Sequence, residues 1–274
     1  MVELEKINAE TPVNKGHLEV ENLSVSFRRK GNTIHVFNDI NFIIEPNEFV
    51  CILGPSGCGK STVLNVIAQF IKQTRGYVFV NRREVDSPGA DRGFVFQQNS
   101  LLPWKTVFQN VEFGLRIRGV QTVQRRELVN EYLSRVGLYK YRSSYPHQLS
   151  GGMQQRASIV RALVNFPSVL LMDEPFGALD AQTRHMMQEL LLRIWNDYKS
   201  TVIFVTHDIE EAILLGDRIF VMGVNPGRIK EKITIPLERP RHLDLMYSQD
   251  FINLNRQIFE LIREETLKSM DFNE

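Results

Sequence analysis

The sequence predicts an α/β chain built on a parallel sheet, and three observations carry that expectation. FVCILG, SVLLMDEP and TVIFVTHD are continuous apolar runs of strand length, as expected for strands buried on both faces. Each is followed by a segment whose apolar residues recur at helical spacing, STVLNVIAQFI, AQTRHMMQELLLRIWNDY and IEEAILLGD in turn. A glycine-rich turn, PSGCGK, joins the first strand to the first helix. Strands alternating with helices imply a parallel sheet.

The remaining elements fit around that frame. Residues 1 to 16 are polar and without apolar period, and read as a flexible leader. HLEVENLSVSF and INFIIE alternate apolar and polar residues as half-buried strands do, with RKGN between them as a turn, so the first part is β-rich. YVFV and GFVF are further short strands. Residues 106 to 165 then hold three helical patterns, separated by Gly119 and by RSSYPHQ. DRIFVMGVNPGRIKEKITI predicts a hairpin around Asn225-Pro226-Gly227, and residues 249 to 269 predict one or two charged amphipathic helices.

Composition narrows the function classes. The 274 residues are 43% hydrophobic and 24% charged, which is ordinary globular usage. Lys and Arg number 33 against 32 Asp and Glu, a net charge of +1, so no bulk basic field favours nucleic acid or a membrane surface. No run approaches the roughly 18–20 apolar residues that cross a bilayer. The N-terminal MVELEKINAETPVNKGH lacks the basic-then-apolar layout of a secretory signal, which points to the cytosol. Cys51 and Cys58 lie on a strand and the loop after it, an arrangement that fits a reducing compartment and argues against a disulfide.

Gly54-Pro55-Ser56-Gly57-Cys58-Gly59-Lys60-Ser61 matches G-x-x-x-x-G-K-[ST] between an apolar strand and a helix, with Thr62 next in the helix. Glycines let successive N–H groups converge on phosphate oxygens, and the helix N-terminus adds positive potential. Lys60 would reach the β and γ phosphates and the Ser61 hydroxyl would ligate Mg²⁺. A chance match arises about once in a hundred chains of this length. Asp173 and Glu174 end the strand VLLMDE, at the sheet edge where parallel α/β folds bind ligands. Asp173 suits the Mg²⁺ shell, and Glu174 suits a general base acting on water. A helix-capping acidic pair before Pro175 is the plainer reading of the same residues. His207 ends a third apolar strand at that edge, placed for a γ-phosphate contact. His17, His35, His147, His185 and His242 have no such placement.

Between the two nucleotide motifs stands Leu149-Ser150-Gly151-Gly152-Met153-Gln154-Gln155-Arg156, a glycine pair at a helix start, where free N–H groups make an anion site. This segment resembles the signature of the ATP-binding cassette (ABC) ATPases, and the resemblance extends over nearly the whole chain from Leu18. It implies the P-loop ABC ATPase fold: a mixed parallel core sheet, an antiparallel β subdomain and a helical signature subdomain. The implied organisation is a leader at 1–16, an ATPase domain at 17–240 with its helical subdomain at about 100–165, and a C-terminal helical cap at 241–274. In such a fold Ser150, Gly151 and Gly152 face the γ-phosphate held by the other subunit of a head-to-tail homodimer. Gln97 is similar to the glutamine that touches Mg²⁺ and senses the nucleotide. Gly177-Ala178-Leu179-Asp180 is similar to the dimer-contact loop, and His207 to the switch histidine. Phe27 is the candidate to stack on adenine, with Phe37 its rival. Met153 replaces the commoner Gln of the signature.

DRGFVFQ, LLPW, NPGRI and ERPR, with SPGADRG upstream, resemble the importer group for nitrate, aliphatic sulfonates and taurine. That resemblance implies ATP and Mg²⁺ as cofactors, with catalytic roles for Lys60, Glu174 and His207. It also implies an integral-membrane permease docked around Leu101 to Trp104, a solute-binding protein outside the membrane, and a peripheral position on the cytoplasmic face. Trp104 is equally readable as plain core. A soluble cassette acting on nucleic acid or the ribosome is the alternative; relatives of that kind carry coiled coils, zinc modules or tandem cassettes, and this chain has one phosphate loop and one signature. A small-molecule kinase shares the loop but has no use for the signature.

Overall fold

The computed structural model describes residues 16–29, 32–98 and 100–271. The leader expected at 1–16 lies outside these residues except for Gly16, whose N–H donates to Asn81 Oδ1 at 2.7 Å. The middle of the expected RKGN turn is outside them as well.

Two sheets make up the β structure. β1 (Leu18–Arg29), β2 (Asn32–Ile44), β4 (Arg75–Val80) and β5 (Arg83–Glu84) form an antiparallel sheet in the order β2-β1-β4-β5. β2 starts eight residues before the INFIIE segment, because its first four residues are exposed on both faces and the regular alternation of buried and exposed residues begins only at Ile40. Register shifts interrupt β1 at Val20/Leu23 and Leu23/Val25, and these bulges hide the two-residue period from the sequence.

The second sheet contains β3 (Phe49–Leu53), β6 (Arg92–Val95), β7 (Val169–Asp173), β8 (Thr201–Thr206), β9 (Arg218–Gly223) and β10 (Arg228–Thr234). Its order is β10-β9-β3-β8-β7-β6, parallel throughout except for β10, the return arm of the predicted hairpin. Burial on both faces explains the continuous apolar runs, and the strand period sorts their side chains into two cores. Phe49, Cys51, Leu53, Leu170, Met172, Val202 and Phe204 face one core. Val50, Ile52, Val169, Leu171, Ile203 and Val205 face the other, which they share with the antiparallel sheet and with α1 (Lys60–Ile67).

The helices between β6 and β7 are α2 (Val107–Val111), α3 (Phe113–Ile117), α4 (Thr122–Arg135) and α5 (Gly151–Leu163). The first of the three expected patterns is thus two short helices meeting at Glu112. Thr106 and Gln109 form a capping box that starts α2, and Ser150 caps α5. α6 (Ala181–Tyr198) and α7 (Ile209–Leu215) match their sequence patterns. Residues 249 onward form one helix, α8 (Gln249–Asp271). Among the described residues no helix is long and apolar enough to cross a membrane, and both cysteines are free and buried.

The ERPR segment is a buckle between the end of β10 and the C-terminal residues. Arg239 donates from Nε to Asp217 Oδ1 at 2.7 Å and from Nη2 to Leu215 O at 2.6 Å, and its guanidinium covers the Trp195 ring. Arg241 is only 5% exposed. It donates to the carbonyls of Ile213, Leu214 and Gly216 at the end of α7, and to that of Leu237. These are carbonyls a helix terminus leaves without intrahelical partners, and a cation there opposes the negative end of the helix dipole. Burial, with Arg239 alongside, pushes the Arg241 guanidinium down to about 10. Arg241→Ala strands those carbonyls in a buried site and is expected to cost about 2–3 kcal/mol. Thermal unfolding should shift down by roughly 4–12 °C, and Arg241→Lys should recover only part of it because an ammonium lacks the planar fork.

Candidate functional site

Four neighbouring strand ends supply the site. β3, β8, β7 and β6 lie side by side and parallel, so their carboxyl ends deliver the phosphate loop, His207, Asp173-Glu174 and Gln97 to one edge. The loop leaves β3 at Gly54 and turns into α1 through Gly57 and Gly59, with φ +81° and +102°. Both lie in the left-handed region that glycine adopts freely, and the resulting curl turns backbone N–H groups toward a common centre. Pro55 and Thr62 are half-buried, Ser56 is exposed, and Cys58 points into the core, where burial pushes its thiol up. Cys58 therefore serves the loop with its backbone.

Lys60 is 6% exposed, and its ammonium donates to the carbonyls of Gly54 at 2.8 Å and Pro55 at 2.9 Å. The cation is thereby folded back along the loop it closes. Ser61 Oγ donates to Asp173 Oδ1 at 2.8 Å, bridging the start of α1 to the end of β7. Burial pushes the Asp173 carboxyl up, Glu174 adds to this, and the Ser61 hydrogen bond and Lys60 oppose it. A hydroxyl beside a carboxylate is a hard-oxygen pair of the kind Mg²⁺ takes together with substrate phosphates. Among the described residues no three His, Cys, Asp or Glu side chains form a dedicated metal cage, and a cation completed by phosphates needs none.

Glu174 has φ +41°, a strained value for a residue with a β-carbon. Its N–H donates to Val205 O at 3.0 Å, and its carbonyl accepts from Gly177 N–H at 3.1 Å. Those bonds hold the kink that swings the side chain off the strand line. Glu174 Oε2 then accepts from Gln97 Nε2 at 3.3 Å and lies 3.1 Å from His207 Nδ1. Three sequence-predicted residues from three strand ends meet at one carboxylate oxygen, and the capping reading of the acidic pair falls away, since neither carboxylate caps a helix. His207 is exposed on the side away from Glu174, while Asp208 beside it caps α7 by accepting from Glu211 N–H at 3.1 Å.

Other predicted residues stand apart. Ser150 Oγ accepts from Met153 N–H at 3.4 Å at the start of α5, and Gly151 is exposed. Gly152 abuts α6, since a β-carbon on it would fall 2.8 Å from Thr183 Cγ2. Among the described residues no hydrogen bond joins Ser150, Gly151 or Gly152 to the phosphate loop of the same chain. Asp180 caps α6, and hydrogen bonds from Thr183 hold its carboxyl below the usual carboxylate range. Phe27 is 44% exposed on β1, whereas Phe37 is fully buried in the second core and has no free face to offer a base. Leu101 is buried, but Trp104 is 70% exposed, so the core reading of Trp104 is overturned.

Asn110 and Arg161 went unremarked in the sequence. Asn110 is 0% exposed. Its carboxamide accepts from Leu102 N–H and donates to the carbonyls of Leu102, Lys105 and Thr106, holding the loop that displays Trp104. Arg161 grips Ser100 at the carbonyl and the hydroxyl, each at 2.6 Å. The signal for Asn110 was a carboxamide on the apolar stripe of Val107 and Val111.

With this geometry in place, likeness to known proteins is informative. A sequence profile described as ABC transporter matches residues 37–177. An ABC transporter ATP-binding protein of Methanocaldococcus jannaschii, itself uncharacterized, is 48% identical over 256 residues, 93% of this chain and 95% of the relative. A taurine import ATP-binding protein of Pelagibacter ubique is 48% identical over 217 residues, covering 79% and 82%. A nitrate import ATP-binding protein of a Synechocystis species is 44% identical over 253 residues, covering 90% and 95%. Among solved structures, a dimeric ATP-binding cassette in a post-hydrolysis state with ADP and Pi superposes with a TM-score of 0.72 at 33% identity, over 81% of this chain and all of that one.

Lys60→Ala removes the one side-chain cation placed within the loop. ATP affinity, measured by equilibrium titration, is expected to fall by roughly 30–150-fold, the equivalent of about 2–3 kcal/mol for a charge-assisted contact. An unchanged affinity would overturn the phosphate-loop reading.

Proposed function

The chain belongs to the ABC transporter family of ATP-binding subunits, which couple ATP hydrolysis to transport, and from that membership we propose that it is the ATPase of an importer for small anions of the sulfonate, taurine or nitrate type. Support comes from the relatives named for taurine and nitrate import and from the NPGRI and ERPR segments. The observation that carries the catalytic reading is the meeting of Gln97 and His207 on Glu174 Oε2 beside the Ser61–Asp173 pair.

Each group has a role that its position supports. The N–H groups of Gly57 to Ser61 cradle the β and γ phosphates, and Lys60 turns from the Gly54 and Pro55 carbonyls to the phosphate oxygens. Ser61, Asp173 and Gln97 would hold Mg²⁺. The ion, when bound, neutralises charge developing on the phosphates. Glu174 accepts a proton from the attacking water, and its strained backbone keeps Oε2 at the point that Gln97 and His207 mark. His207, on an exposed ring, moves from Glu174 to the γ-phosphate. Phe27 offers its free face to the adenine.

Assembly follows from what the single chain leaves apart. Ser150, Gly151 and Gly152 sit at a helix N-terminus away from their own phosphate loop, which suits an anion held by a second copy. A head-to-tail homodimer would bring Ser150 to the partner's γ-phosphate, with Gly177 to Asp180 at the contact. The dimeric state of the superposed cassette supports this. The loop from Leu101 to Trp104, held rigid by Asn110, displays the exposed Trp104 for a helix of an integral-membrane permease. The protein then works peripherally on the cytoplasmic face, with a solute-binding protein delivering the anion from outside. The domain plan of 17–240 for the ATPase, about 100–165 for its helical part and 241–274 for the cap belongs to the same proposal. No observation favours the nucleic-acid alternative.

Glu174→Gln is expected to bind ATP within a few-fold of the wild type while steady-state hydrolysis falls by about 10²–10⁴-fold. Uptake of labelled taurine, nitrate and an alkanesulfonate by cells carrying this variant, compared with wild type, identifies the solute by which uptake is lost. Normal hydrolysis by Glu174→Gln would overturn the catalytic assignment.

A further inference from the structure

α8 carries a carboxylate where its pattern calls for an apolar side chain. Phe251, Ile258 and Glu265 recur every seven residues on its inward face, 2%, 0% and 0% exposed. A carboxylate sealed this far is tolerated only when its oxygens are bonded. Glu265 Oε2 accepts from Val224 N–H at 3.2 Å, and Oε1 accepts from Lys268 Nζ at 2.7 Å with Lys230 Nζ 3.3 Å away. Burial pushes this carboxyl up, but the bonds from Lys268, Val224 and Lys230 outweigh it and hold it below the usual carboxylate range. The same oxygen presses on the preceding residue, since a β-carbon on Gly223 would fall 2.7 Å from Oε2. Glu265 thus grips the β9–β10 turn at its entry.

The other end of that turn touches the phosphate loop. Gly227 N–H donates to Val36 O at 2.9 Å and Gly227 O accepts from Asn38 N–H at 3.2 Å, splicing the turn onto β2. A β-carbon on Gly227 would fall 2.3 Å from Cys58 O and 2.8 Å from Val36 O, so only glycine lets the turn come this close. Val36 and Phe37 in turn lie 3.1 and 3.2 Å from where a β-carbon on Gly59 would sit. The NPG segment is therefore wedged between Glu265 of α8 and the Cys58-Gly59 stretch of the loop.

We propose that Glu265 is a positioning residue for the nucleotide site: by holding Val224 it seats Gly227 against Cys58 and Val36, and so keeps the Gly57-to-Lys60 backbone in its phosphate-binding curl. The proposal rests on the phosphate-loop reading given under Proposed function. Glu174 and His207 hang from β7 and β8 and take no hydrogen bond from this path, and Asp173 meets it only at Ser61 Oγ, beyond the stretch that the turn touches. Releasing the turn therefore adds an ordering cost to phosphate binding and leaves the reacting groups in place.

The test measures ATP affinity by titration calorimetry, and turnover at saturating ATP, for wild type, Glu265→Ala, Glu265→Gln and Gly227→Ala. Glu265→Ala should weaken ATP binding about tenfold while turnover stays within twofold. Glu265→Gln keeps an acceptor for Val224 N–H and should recover most of the affinity, and a double variant combining Glu265→Ala with Gly227→Ala should lose less affinity than the two single losses together, because they cut one path. A folded Glu265→Ala that binds ATP within twofold of wild type overturns the proposal. Equal losses in the Ala and Gln variants do so too, by tracing the effect to the lysine pairs. If Glu265→Ala does not fold, unaltered affinity in Gly227→Ala has the same force. Wild-type protein that binds no ATP would instead overturn the nucleotide site itself.

Discussion

Parallel register along the central sheet is the constraint on which the rest depends. Leu53 pairs with Thr206, Val205 with Asp173 and Met172 with Val95, so the ends of β3, β8, β7 and β6 finish at one level. Each strand is buried on both faces, which leaves the carboxyl edge as the place where polar side chains can emerge. Residues from 33 positions apart in sequence (Glu174 and His207) to 112 apart (Ser61 and Asp173) become neighbours there because the strands that carry them pack together. Packing of apolar runs, rather than the polar contacts themselves, assembles the site. The short bonds among Ser61, Asp173, Glu174, Gln97 and His207 then choose the side-chain orientations within it.

The strain at Glu174 shows how that division works. A non-glycine residue in the left-handed region costs of order 1 kcal/mol or more, and the cost is offset by its bonds to Val205 O of β8 and to Gly177 N–H in the turn that follows. With an ordinary backbone the side chain would continue the strand alternation and turn into a core. The kink instead aims it across the sheet edge toward Gln97 and His207.

Peripheral parts of the chain are tied to the same edge by buried polar groups. Arg241 closes the end of α7, whose N-cap Asp208 directly follows His207. Arg161 holds Ser100 and Asn110 holds Leu102, both close to the exposed Trp104. Glu265 links α8 to the turn that rests on the phosphate loop. Arg241 and Asn110 each gather several backbone groups from a buried position, and Glu265 joins one backbone N–H to two lysines, arrangements that are rigid when every partner is satisfied and costly when one is removed.

Much was legible in the sequence because it is written in local terms. The phosphate loop follows from the backbone freedom of Gly57 and Gly59 and the chemistry of Lys60 and Ser61, all within eight residues. The buried strands and α6 follow from period and length alone. The start of β2 was not legible, because its first four residues are exposed on both faces and so carry no period, and neither were the β1 bulges, which depend on the strand opposite. Phe27 and Phe37 are equivalent as letters, and only packing decided that Phe37 belongs to the core while Phe27 keeps a free face. Trp104 is likewise ambiguous as a letter, and only the fold decided that its indole is exposed on a loop whose backbone the buried Asn110 carboxamide holds. Glu265 reads as one more charge on a charged helix. The sequence by itself determined which chemical groups are available and the local elements that carry them, since both depend on neighbouring residues. Tertiary structure alone decided which groups meet, because burial and bonding partners are set by segments distant along the chain.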